Sequence, residues 1–476
     1  MEIKEFVKLV PQYLVYPKSL CTRRETNYAI VRNEKKKFLA VTGTDAPLFQ
    51  GTSIGMGEGA GAKLCNFTRH NCQTLRNVFP ELTPKPCDRK ISFGFGDRLG
   101  IATPAHLVAI NGRDIFPVFA QQSIRENTRT GRSYQEVLDD AVWGCFQDGH
   151  RAPFGADADH LKEPVYITEA LHAGFSMYTI DISDHMRNPA VLTAEGQRAA
   201  LLAVRDADTW EAYFNGKKYT VGGMTYTFTE PVVRRLLITF AAGLDFATDC
   251  YERIKHVMPV FDFEVSVDET SVPTEPIDHI FVAEYLRKAG VVFTSLAPRF
   301  PGEFEKAIDY KGSVPEFKDH FRMHTEISRF FGGYKVSIHS GSDKFAVYPA
   351  VKETSDSFHI KTAGTSWLQA VRTLAVRTPG LYRKIHQCAL NNLEKDRVGY
   401  VIHLDTAKIP PLEKTPDSRL EDYFELPDSR QLIHITYGSV LAELKDDILR
   451  ELLNHEDECF KQIAGHLGKH LDLLLS

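Results

Sequence analysis

APFGADADHLKEPVYITEALHAGFSMYTIDIS, residues 152–183, reads as a strand, a connection long enough for a helix, and a second strand. Its ends, APFGADAD (152–159) and FSMYTIDIS (175–183), are short β-rich runs, and their succession is the repeating unit of a parallel sheet. Working outward, the same kind of run recurs as KISFGFGD (90–97), IFPVFAQQS (115–123), FDFEVSVDE (261–269), VVFTSLAPR (291–299), KVSIHSGS (335–342) and HIKTAGTS (359–366). An open doubly wound sheet offers about five to seven such runs, whereas eight close a barrel. The fold class expected is therefore α/β, a (β/α)8 TIM-type barrel.

The segments between the runs carry helix signals. Ser133 and Glu136 form a capping box, with Val137, Leu138, Ala141, Val142, Cys145 and Phe146 as an apolar face and Gly149 as a stop. Ser366 and Gln369 suggest the same device after the last run, and Pro276 and Gly290 bracket a helix after the fifth. Residues 90–405 are expected to form the barrel, with largely helical insertions at 184–258 and 300–334 as candidate lids. Residues 1–89 lack the rhythm and read as an additional N-terminal layer. Residues 406–476 read as a Pro-rich link followed by a helical tail.

Of 476 residues, 43% are hydrophobic and 25% charged, which fits an ordinary folded protein and excludes a disordered or fibrous chain. The net charge of -5, with basic residues scattered, argues against a nucleic-acid partner and for a small molecule. No apolar stretch reaches the roughly 18 to 20 residues of a membrane helix, and the start MEIKEFVKLV has no apolar signal core, so a cytoplasmic protein is expected. The eight cysteines form no CxxC pair and are expected as reduced thiols. Cys65, Cys72 and Cys87 lie near one another in sequence, but their spacing fits no common zinc pattern.

Catalytic groups of a barrel sit at the carboxyl ends of its strands, and polar residues accumulate there. His160 and His339 are the strongest candidates for holding a divalent metal. An acidic ligand is available from Glu303, Glu305 or Asp309 after the sixth run. Asp157 and Asp159, two apart on a strand, share a face and offer a base, while Glu264 lies across the barrel as a second acid–base group. Ser123, Arg299, Lys344 and Lys361 are candidates for binding an anionic substrate, Arg being suited to a carboxylate. The glycines of GFGDRLG do not complete a dinucleotide fingerprint.

GDRLGIATPAH, FAQQSIRE, GADADHLK, AGFSMYTIDISDH, GGYKVSIHSGSDKF and HIKTAGTSW, in this order over about residues 90–370, resemble the tagaturonate epimerase family. The resemblance implies an isomerase that interconverts D-tagaturonate and D-fructuronate in hexuronate catabolism. It implies a divalent metal, zinc first, with manganese, nickel or cobalt as substitutes. Residue by residue it implies Asp159 as proton acceptor, Glu264 as proton donor, His160 and His339 as metal ligands, and a third ligand within RFPGEFEKAIDY, represented by Glu305. A class II aldolase or keto-sugar isomerase would use the same groups, and a non-catalytic sugar-acid binding protein would need neither histidine.

Overall fold

The computed structural model of the chain describes residues 1–54, 61–270 and 272–475. Eight parallel strands close into a barrel whose spatial order follows chain order. They are β1 (Ile91–Phe95), β2 (Phe116–Ser123), β3 (Gly155–Leu161), β4 (Met177–Asp181), β5 (Asp262–Ser266), β6 (Ser295–Ala297), β7 (Lys335–Ile338) and β8 (Phe358–Thr362). β8 closes on β1, with Ile360 opposite Phe93. All five residues of β4, β5 and β8 are buried, because helices cover the outside and side chains fill the inside. The short β6 stops before Pro298, which has no N–H to offer a ladder.

After each strand comes a helix: α1 (Thr103–Ile110), α2 (Tyr134–Gln147), α3 (Pro164–Ala173), α4 (Glu230–Val257), α5 (Pro276–Lys288), α6 (Val314–Phe330), α7 (Tyr348–Thr354) and α8 (Thr365–Arg377). The Ser133–Glu136 capping box starts α2, and Pro276 opens α5. The box expected at Ser366 and Gln369 is absent. α8 begins two residues earlier behind Gly364, whose φ of 81° suits glycine, and the Ser366 hydroxyl pairs with His106 Nε2 at 2.8 Å instead.

Neighbouring helices pack in sequence from α1 to α7. The ring is completed by the last helix of the chain, Glu456–Leu475, which packs against α1, α7 and α8. The helix that ends the C-terminal region thus packs into the barrel wall. His466 Nε2 of that helix lies 2.5 Å from Asp343 Oδ1, and the Asp343 backbone N–H donates to His470 Nε2 at 2.9 Å, pinning the helix to the loop after β7.

The two stretches read as insertions contain the barrel helices α4 and α6. What is added between β4 and α4 is two 3-10 turns, two short helices and a hairpin, Lys218–Val221 with Met224–Thr227, which lies against α6. The N-terminal layer is a six-stranded sheet with antiparallel pairing. Its strand Thr26–Arg32 sends Ala29 and Val31 to a small core with Phe6, while Tyr28 and Ile30 join the main core. That alternation binds the layer to the barrel. All eight cysteines are free, Cys65 and Cys72 lying buried, and among the described residues none joins a cluster able to hold a metal.

Candidate active site

The site begins with an irregularity in β3. Ala158 pairs with Tyr178 and Leu161 with Ile180, so Asp159 and His160 together oppose Thr179. This is a β-bulge, and His160 absorbs it at a φ of 53°. In a regular strand Asp159 and His160 would face opposite ways. The bulge turns them together, and His160 Nδ1 lies 2.8 Å from Asp159 Oδ1. Ser340, directly after His339, is similarly held at a φ of 52°.

Across the barrel mouth, His339 Nε2 lies 2.7 Å from Glu264 Oε1. Each histidine is thus held by a carboxylate on one nitrogen and presents the other to Asp268. Asp268 Oδ1 is 3.2 Å from His339 Nδ1 and 4.0 Å from His160 Nε2. Among the described residues, the buried His339 Nδ1 has no hydrogen-bond partner. His160, Asp268 and His339 form a donor set that is able to hold a metal ion. Of the other groups, that of His160, Asp181 and Glu269 has the Lys162 ammonium 3.4 and 3.1 Å from its two carboxylates, and Asp343, His466 and His470 dock the last helix.

Beneath the histidines, Lys361 is buried, and its Nζ lies 2.7 Å from Asp157 Oδ2, 2.7 Å from Asp159 Oδ1 and 2.9 Å from Glu264 Oε1. Thr179 Oγ1 stands 2.5 Å from the same nitrogen. Burial alone would raise the carboxyl of Asp159, but His160 and Lys361 outweigh it and hold the group well below the usual range. The same opposition, with Lys361 and His339 prevailing over burial, keeps Glu264 ionised. Asp157 goes the other way: burial pushes it up to about 6. Burial favours neutral His339, yet Asp268 and Glu264 push it up to about 10, so its protonated form is the stable one when nothing else neutralises the carboxylates.

A cleft opens beside Asp268 and His339, lined among others by Arg125, Arg299, Lys306 and Tyr400. No residue of 184–258 lines it, whereas Phe300, Gly302, Phe304 and Lys306 of the stretch 300–334 do. Arg299 is half-buried, and among the described residues its guanidinium makes no hydrogen bond or ion pair.

Four expected assignments change. Glu305 does not join His160 and His339. Its carboxylate accepts from Lys311 Nζ at 2.7 Å, Gln431 Nε2 at 2.7 Å and His403 N at 2.9 Å, in a separate cluster with Glu303. Lys344 is buried and donates to the carbonyls of Glu305, Ile308 and Ser342 at 2.8, 2.6 and 2.9 Å, so it ties loops together instead of meeting substrate. The Ser123 hydroxyl caps the short helix Ile124–Thr130 by accepting from Glu126 N. Lys361, expected as a substrate contact, serves the carboxylates described above. Asp268 was visible at a strand end, but only folding shows that it lies between the two histidines.

The model of the tagaturonate epimerase family matches residues 16–474. The chain belongs to this family. Membership of the tagaturonate epimerase family makes it an isomerase of the epimerase type. A tagaturonate/fructuronate epimerase of Thermotoga maritima is 45% identical over 468 residues, covering 97% of each chain. Within the tagaturonate epimerase family, a glycerol-complexed crystal structure of the fructuronate-tagaturonate epimerase of Cohnella laeviribosi superimposes with a TM-score of 0.92 at 37% identity, covering 99% of both chains. Its native crystal structure gives 0.91 at 36% identity with the same coverage. No helix among the described residues is long and apolar enough to cross a membrane.

Proposed function

We propose that the protein interconverts D-tagaturonate and D-fructuronate in hexuronate catabolism, at a centre where His160, Asp268 and His339 hold a divalent ion, zinc first. The observation that carries the reading is the pair of histidines at the barrel mouth, each fixed by a carboxylate and turned towards one shared carboxylate. Carboxylate–histidine pairs of this kind orient metal ligands and set their tautomer. The orphaned His339 Nδ1 fits that role, and so does the surplus of buried negative charge. A divalent ion bound there supplies Lewis-acid polarisation of a ketone oxygen.

The two sugar acids differ at a carbon β to the ketone, whose hydrogen that carbonyl does not acidify. Asp159 is the base in our reading. Its Oδ1 is taken by His160 and Lys361, while its Oδ2 accepts no hydrogen bond among the described residues. Glu264 is different: Oε1 receives His339, Lys361 and Thr179, and Oε2 receives Ser295. A carboxylate so occupied is better suited to holding His339 than to taking a proton from a second face of the substrate. That favours a route needing one base. Asp159 removes the proton from the hydroxyl on the carbon to be inverted, the adjacent carbon–carbon bond breaks to an aldehyde and an enediolate, and re-addition to the other aldehyde face returns the proton. Arg299 would hold the carboxylate through the rotation.

Turnover in deuterium oxide tests the route. Cleavage and re-addition leave the inverted carbon free of deuterium and allow an aldehyde fragment to be trapped. Carbon-bound deuterium at that position sinks the route. Fragments accumulating without an epimeric product would make the protein an aldolase instead.

A further inference from the structure

We infer that Lys361 is a positioning residue that selects Oδ2 of Asp159 as the basic atom, an inference that rests on the role given to Asp159 above. Lys361 stands on β8, and β1 and β2 separate that strand from β3 in the barrel. Its side chain nevertheless reaches Asp157 and Asp159 on β3, Thr179 on β4 and Glu264 on β5. The lysine is a tie across the barrel interior, and only a long side chain spans that gap. Two oxygens touching one nitrogen cannot lie further apart than the two contacts laid end to end, so the ammonium sets an upper limit on the separation of Asp159 and Glu264.

Without that charge, buried Asp157, Asp159 and Glu264 would face one another as like charges and would rotate apart or take up protons. With it, Oδ1 of Asp159 is occupied and Oδ2 is left over. The Lys361 ammonium is taken up by Asp157, Asp159, Glu264 and Thr179, whereas the guanidinium of Arg299 in the open cleft has no such partner among the described residues. An ammonium with these carboxylate contacts keeps its proton and has no lone pair with which to attack a ketone. Lys361 thus acts through Asp159 and is not a Schiff-base nucleophile.

The test uses metal-loaded enzyme and D-tagaturonate. Lys361→Met removes the charge at similar length. Because it leaves buried carboxylates unpaired, the double variant Asp157→Asn/Lys361→Met, which loses one charge of each sign, guards against misfolding. Expected for whichever folds, by circular dichroism and metal content, is a kcat lowered by about 100-fold or more with KM within about threefold, and partial recovery in Lys361→Arg. A folded variant with kcat within about threefold of the parent overturns the proposal. So does a rise in KM of about tenfold with kcat kept, which would make Lys361 a substrate contact. A borohydride-reduced substrate adduct on Lys361 overturns it too. Asp159→Asn separates the two readings: if that variant stays active, the base assignment falls along with this inference. If it is inactive while Lys361→Met is active, this inference alone falls.

Discussion

Asp268→Asn keeps the shape of the side chain and removes the charge that lies between His160 and His339. Tetrahedral donors about 2.1 Å from a zinc ion stand about 3.4 Å apart, and the separations of 3.2 and 4.0 Å from Asp268 Oδ1 to the two imidazoles straddle that value. Structural zinc sites of four ligands are worth about 10–16 kcal/mol at neutral pH, so one ligand carries about 3 kcal/mol, or roughly 100-fold in affinity. The expected result is that Asp268→Asn binds zinc about 100-fold more weakly and loses activity in proportion. Glu305→Gln is the matched control. Its carboxylate is engaged by Lys311, Gln431 and His403, so its loss should lower stability and leave zinc affinity within about threefold. Zinc content measured across a series of zinc buffers, with circular dichroism on each sample, distinguishes the two. If Glu305→Gln loses the ion while Asp268→Asn keeps it, the donor set proposed here is wrong.

Metal uptake should release protons. His339 is pushed up to about 10 in the metal-free protein, against its burial, by Asp268 and Glu264, and His160 is raised by Asp159; a ligand nitrogen must be deprotonated. Apparent affinity is expected to rise about tenfold per pH unit for each proton released between pH 7 and 9, and calorimetry in two buffers of different ionisation heat counts the protons; none released contradicts it. Arg299→Ala should raise KM about 10- to 100-fold by removing a charge-assisted contact, with Arg299→Lys between it and the parent, and an unchanged KM rejects the anchor. Burial lowers Lys344 to about 7, so between pH 7 and 10 the unfolded chain holds a proton that the folded protein does not. Stability therefore rises with pH across that window, by at most about 1.4 kcal/mol per unit. Urea unfolding of Lys344→Met should show a gap below the parent that widens from pH 7 to pH 10; parallel curves refute the assignment.

The barrel was legible because each parallel strand is buried on both faces and so reads as an apolar run between helix signals. The ends were less so: Pro298 cut β6 short, and Gly364 started α8 without the cap that Ser366 suggested. At the site, Asp159 and His160 stood in one motif, and their joint placement depends on a bulge that no spacing rule reveals. Lys344 looks like a solvated strand-end lysine until the carbonyls of Glu305, Ile308 and Ser342 are seen around it. Glu305 lies close in sequence to Phe304 and Lys306 of the cleft, yet its carboxylate is claimed by Gln431 and His403 from far along the chain. Long-range partners of that kind leave no local trace.

The extra residue in β3 also separates architecture from chemistry. Because side chains alternate along a strand, removing one residue between Ala158 and Leu161 would restore an even ladder against β4 and leave the barrel its hydrogen bonds. The same repair would take away either the base or the imidazole beside it. A chain could thus keep the whole scaffold and lose its reaction through a single codon deletion, which makes this short stretch a place where related barrels of equal sturdiness can part company in what they do.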